Sequence, residues 1–103
     1  MNQPLIVTTK KLMCRHTKRG GRVWLEGKAL DKHGYINQAS YDVVYTATTI
    51  ELTLNSAGAR KVAGTVARPI IDLHSKGIAT MFSDGSKVSI TMLGGVITIE
   101  GIE

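Results

Sequence analysis

The chain has little with which to crosslink or anchor itself. Cys14 is its one cysteine in 103 residues, which excludes an intramolecular disulfide framework and fits a reducing compartment. No apolar run approaches the roughly 20 residues that span a bilayer, so no membrane partner is expected. The start, MNQPLIVTTKK, has neither a charged n-region nor a long apolar h-region and does not read as a secretory signal. Together these absences predict a cytoplasmic protein. No Gly-x-Gly-x-x-Gly follows a strand and no P-loop occurs, so no nucleotide cofactor is indicated. Cys14-x-His16 has no second pair at ligand spacing to complete four ligands, so no metal site is expected.

Hydrophobic residues make up 43% of the chain and charged residues 20%, ordinary globular usage that argues against wholesale disorder. The length suits a single domain. Thr, Val and Ile are abundant and the 11 glycines fall at plausible turns, so a mostly β fold is expected.

Positive charge is confined to one region. Residues 1–34 hold eight bases (Lys10, Lys11, Arg15, Lys18, Arg19, Arg22, Lys28, Lys32) against Glu26 and Asp31, or +6. Residues 35–103 hold five bases against six acids, or −1. Clustered cations favour a polyanionic partner, because they release condensed counterions from a phosphate backbone.

Taken in order, residues 5–9 (LIVTT) read as an edge strand added to the main sheet. Residues 10–21 form a basic arm, and Gly20-Gly21 is expected to let it bend freely. Residues 22–26 read as a strand with Val23 and Leu25 on one face and Arg22, Trp24 and Glu26 on the other. A short helix follows over 28–33. Gly34 fits the left-handed C′ position of a Schellman ending, with Leu30 and Tyr35 making its hydrophobic contact.

Tyr41, Val43 and Tyr45, then Ile50, Leu52 and Leu54, alternate with polar positions as a hairpin. Residues 55–60 form a loop between two halves, and a strand is expected over 61–67. Pro69 marks an edge, bend or strand start, and Ser75-Lys76-Gly77 a turn. Gly94-Gly95 closes a last hairpin that pairs Met92 with Ile97, Ile90 with Ile99, Thr91 with Thr98 and Ser89 with Glu100. A shift of about 45 positions lays the first hairpin on the second. The expected architecture is therefore a small barrel of hairpins with one short helix, in which two pseudo-repeated units share one chain. Residues 1–21 would be a strand plus arm, 22–54 the first unit and 61–103 the second.

The run Leu25-Glu26-Gly27-Lys28-Ala29-Leu30-Asp31-Lys32-His33-Gly34-Tyr35, preceded by Leu5-Ile6-Val7 and a basic arm, resembles the SymE-like toxins of the AbrB/MazE swapped-hairpin β-barrel group. The resemblance covers about residues 4–54. It implies a nucleic-acid-binding barrel, usually built from two copies of the unit, in members that act as regulators, antitoxins or toxins on DNA or RNA. Carried over by position, Arg15, Lys18, Arg19 and Arg22 meet the phosphates and Lys28 opens the helix. The chain departs from the group by continuing for about 49 residues, a tail that could stand in for a second subunit, leaving a pseudo-dimeric monomer or a homodimer open.

The expected interface is therefore Lys10, Lys11, Arg15, Lys18, Arg19, Arg22, Trp24 and Lys28, with DNA or RNA as partner and DNA favoured. Trp24 faces outward if Val23 and Leu25 face the core, where it could stack on a base or anchor a protein; otherwise it lies inward, under the second half or the strand over 5–9. A different reading is a protein-binding inhibitor, encoded by a mobile element or phage, whose arm enters an acidic groove of a host nuclease or defence complex. No catalytic residue is assigned. Asp72 and His74 share a strand face, and with His16, His33, Asp31 and Glu26 they supply the titratable groups a ribonuclease of the toxin type would draw on, but Asp-x-His alone specifies no catalytic geometry.

Overall fold

The structure, a computed structural model, describes residues 7–102, with side chains from residue 11 onward. Leu5 and Ile6 of the expected edge strand lie outside the described residues. Ten strands and two short helices run in the order β1 (Val7–Met13), β2 (Arg15–Thr17), β3 (Gly20–Glu26), α1 (Lys28–Lys32), β4 (Ser40–Tyr45), β5 (Thr49–Leu54), β6 (Arg60–Lys61), β7 (Ala63–Gly64), β8 (Pro69–Ser75), α2 (Lys76–Met81), β9 (Lys87–Leu93) and β10 (Val96–Gly101). Six strands, in the order β1-β9-β10-β5-β4-β6, form a sheet curled into a half-barrel. The other four, β2-β3-β8-β7, form a second sheet.

Period-2 alternation sets the register of the larger sheet. Met92 pairs with Ile97, Ile90 with Ile99, Thr91 with Thr98 and Ser89 with Glu100, as the Gly94-Gly95 turn predicts. A slip of one residue would turn Ile90, Met92, Ile97 and Ile99, all buried, out to solvent. Each such side chain stabilises the fold by about 1.5–3 kcal/mol, so the register is strongly enforced. Val23, Leu25, Ile71 and Leu73 project from the smaller sheet into the same core.

Helix α1 ends where its sequence says it should. Gly34 adopts φ 87°, which a side chain would resist, and donates to the Asp31 carbonyl at 3.1 Å, while the Tyr35 amide donates to that of Leu30 at 2.9 Å. These are the two bonds of the Schellman ending, and Leu30 and Tyr35 are both fully buried behind them. The Tyr35 hydroxyl then reaches across the core and donates to the Gly95 carbonyl at 2.7 Å.

Several expectations are corrected. Residues 10–21 are not a free arm: they complete β1, form β2 and begin β3. Gly20-Gly21 is no swivel either. A Cβ on Gly20 would lie 2.4 Å from the Ser75 carbonyl oxygen, and one on Gly21 would lie 2.6 Å from the Ala79 amide nitrogen. The glycines are there because β3 packs directly on the end of β8 and the start of α2. Ser75-Lys76-Gly77 is the beginning of that second helix, with the Ser75 hydroxyl accepting from the Ile78 amide at 3.3 Å as an N-cap. The strand read over 61–67 is two short strands, because Val62 turns inward between them and is fully buried.

The two halves repeat each other more fully than a shift of 45 suggests. Adding 47 to the β4–β5 pairing reproduces β9–β10: Tyr41↔Leu54 becomes Val88↔Gly101, and Tyr45↔Ile50 becomes Met92↔Ile97. Adding 48 carries β2–β3 onto β7–β8: Arg15↔Arg22 becomes Ala63↔Ile70. The same steps place Cys14 on Val62, Leu30 on Ile78 and Tyr35 on Phe82, all buried. The halves also exchange strands. β1 of the first half pairs with β9 of the second, and β6 of the second pairs with β4 of the first. β3 pairs with β8 and β5 with β10 across the join.

Three buried groups make stability depend on high pH. Burial pushes the Cys14 thiol and the Tyr35 and Tyr41 phenols above their ordinary ionisation ranges, so the native state favours their neutral forms. The stability this confers is complete below the ordinary thiol and phenol values, about 8.5 and 10. It declines as pH climbs from there towards the raised native values. The urea midpoint should therefore fall between about pH 8.5 and pH 11. Tyr35→Phe should flatten the upper part of that decline, and Cys14 should react with a disulfide reagent far faster in denaturant than in buffer.

Candidate nucleic-acid interface

Four of the basic residues, Arg15, Lys18, Arg19 and Arg22, lie on the β2–β3 hairpin. Its turn is built by Thr17, whose Oγ1 accepts from the Arg19 amide at 3.1 Å and lies 3.3 Å from the Gly20 carbonyl. That leaves Lys18 and Arg19 exposed at the tip. Arg15 and Arg22 face each other across the two strands and so share the outer face of the smaller sheet.

Arg22 is held more tightly than its neighbours. Its Nε and Nη2 each donate to Asp72 at 2.8 Å, one to each carboxylate oxygen. Its guanidinium also lies 4.8 Å from the centroid of the Trp24 ring. The hydrogen bond to Asp72 pushes the Arg22 pKa further up, so its charge is permanent but already paired. Val23 and Leu25 are buried, and Trp24 faces outward with 39% of its surface exposed. A second ion pair, Arg68 to Glu26 at 3.0 Å, lies beyond it along the same face.

Comparison with known protein families, curated proteins and solved structures gives no match.

The expected interface is only partly gathered. Arg15, Lys18, Arg19, Arg22 and Trp24 lie on one hairpin, whereas Lys28 opens α1 at the far end of β3, roughly 20 Å from the turn at 3.3 Å per residue. Lys11 is exposed on β1, opposite Ser89 in the other sheet. Lys10 lies opposite Ile90 on that strand, and its side chain is outside the described residues.

Most of the titratable candidates are engaged elsewhere. Asp72 holds Arg22, and His74 Nε2 lies 2.7 Å from Thr17 Oγ1, so the two share a face without pairing with each other. His16 Nε2 lies 2.7 Å from the Phe82 carbonyl, and His33 is buried. Cys14 and His16 diverge, the first into the core. Among the described residues no three His, Cys, Asp or Glu side chains converge as a metal site.

Sequence reading missed Asp72 as the residue that positions Arg22, because 50 positions separate the two. Thr17 carried a local signal, a hydroxyl three residues before a turn glycine.

The repeat gives the hairpin a counterpart in which the positions of its basic residues are neutral. Lys11, Arg15, Lys18, Arg19 and Arg22 correspond to Ala59, Ala63, Val66, Ala67 and Ile70 under the 48-residue shift. The chain therefore carries one hairpin whose tip cations are free among the described residues, and one whose tip residue Val66 is 85% exposed and whose turn arginine, Arg68, is paired with Glu26.

Proposed function

We propose that the chain is a nucleic-acid-binding protein, favouring DNA, that acts as a cytoplasmic regulator or toxin–antitoxin-related factor, a single-chain pseudo-dimer of the SymE/AbrB kind. The observation that carries this reading is the confinement of Arg15, Lys18 and Arg19 to one exposed hairpin around Trp24, with their counterparts neutral. Arg15, Lys18 and Arg19 would take the phosphates, while Arg22, held by Asp72, would fix the indole. Such contacts release counterions, so affinity should fall linearly with the logarithm of salt at about 0.9 per phosphate on duplex or 0.7 on single strands. Anisotropy titrations of labelled DNA and RNA across salt test it, with an expected slope of about −2 to −4. Binding indifferent to salt, or none at low salt, rejects the reading.

A second reading, a protein-binding inhibitor, is favoured by the exposed Val66 tip. Retention of one stoichiometric protein from nuclease-treated lysate, lost on Val66→Asp and kept on Lys18→Ala, would select it over the first.

A further inference from the structure

We propose that the nucleic acid is bound as a single strand, with one unpaired base lodged in a crevice beside Trp24. This rests on the nucleic-acid reading above and specifies the kind of strand. β2 pairs with β3 only at Gly20, Gly21 and Arg22. The chain passes from the larger sheet to the smaller one at Cys14, so beyond Arg22 no strand among the described residues is hydrogen-bonded to that edge of β3. The gap is a crevice of about 340 Å³ lined by Leu12, Trp24, Leu25, Glu26 and Met92. The surface it offers is polar and apolar in about equal parts: the indole of Trp24 and the side chain of Leu12 are its accessible apolar walls, while Leu25 and Met92 form its floor and are buried. One carboxylate, Glu26, stands in the lining and is held by Arg68.

This combination suits a nucleobase, which has an apolar face for stacking and a polar edge for hydrogen bonds. The phosphates on either side of that base would meet the cations of the same hairpin. Proteins that hold single strands join a positively charged track to an aromatic platform, and here Arg15, Lys18 and Arg19 lead up β2 and β3 to Trp24. A base inside a duplex would first have to be flipped out, at a cost of a few kcal/mol, before it could enter. The second half does not repeat this lining. Leu12, Trp24, Glu26 and Met92 correspond to Arg60, Asp72, His74 and Tyr45, so Leu12 and the indole of Trp24 are replaced by charged side chains.

Trp24 is the chain's one tryptophan, so its fluorescence reports on the site alone. Oligodeoxythymidine and oligouridine of about a dozen nucleotides should quench it in step with anisotropy. A duplex of the same length should bind at least ten-fold more weakly without quenching. Trp24→Ala should lower single-strand affinity by about 5- to 100-fold, and Trp24→Phe should keep most of it, with the salt slope unchanged in both. Duplex binding as tight as single-strand binding, without quenching, overturns the base site and leaves the charge-based reading standing. So does a folded Trp24→Ala variant with undiminished single-strand affinity. No binding to any of these probes overturns both. Should Trp24→Ala fail to fold, the presence or absence of quenching in the unaltered chain decides on its own.

Discussion

Replacing Arg15, Lys18 and Arg19 together with alanine is expected to reduce the salt slope of nucleic-acid binding by about 2–3 units. Low-salt affinity should fall on the order of a hundred-fold, since each charge-assisted contact contributes about 1 kcal/mol or more. The fold should survive, because all three side chains are exposed and none makes an ion pair among the described residues. Arg22 is left out of this set on purpose. Its guanidinium is paired with Asp72 and lies over Trp24, so Arg22→Ala would mix a lost phosphate contact with a loosened indole.

The repeat supplies the reciprocal experiment. Val66→Lys and Ala67→Arg put the missing charges on the corresponding turn, where both side chains are exposed. The slope should steepen by about one to two units if the second hairpin can also reach phosphates. If the triple-alanine variant binds like the unaltered chain at every salt concentration, the hairpin is not the interface.

The second large effect concerns stability. Gly20→Ala should destabilise the fold by about 2–4 kcal/mol, which for a domain of this size lowers Tm by roughly 10–25 °C. Two causes act together. Gly20 adopts φ 134°, a region L side chains rarely enter, and the added Cβ would lie 2.4 Å from a backbone oxygen of Ser75 that has no freedom to retreat. Ser75 is at once the last residue of β8 and the N-cap of α2, so the clash pushes on a strand end and a helix start together. Gly95→Ala is the control. Its Cβ would meet only the Leu54 side chain, at 3.4 Å, so thermal unfolding should shift by a few degrees at most. Equal Tm values for the two variants would show that the approach of β3 to α2 is looser than described.

The contrast between these glycines marks where sequence reading reaches its limit. Gly34 was legible because its role is local: a helix end needs a left-handed residue, and Leu30 and Tyr35 on either side of it declare the contact. Gly20-Gly21 looked like a flexible joint because nothing nearby in sequence shows that Ser75 and Ala79 arrive within a bond length or two of the missing side chains. A glycine forced by close approach and a glycine that permits bending read alike until the neighbour is known.

The candidate interface divides in the same way. The concentration of charge in the first third and the pairing of the final hairpin follow from residue type and period-2 alternation, which a one-residue slip would invert. Local chemistry fixed those. That Trp24 faces outward was settled only by the packing of Val23 and Leu25 into the core. The pairing of Arg22 with Asp72, the distance between Lys28 and the hairpin tip, and the crevice between Leu12 and Trp24 depend on where strands far apart in the chain come together. So does the exchange of β1 and β6 between the halves, which relates the basic hairpin to its counterpart. Alternating hydrophobicity specifies that strands form and which face they bury, but it is nearly the same in every strand here and cannot choose their neighbours. Tertiary packing makes that choice, in an arrangement that buries Cys14, Val62, Leu30, Ile78, Tyr35 and Phe82 in one core.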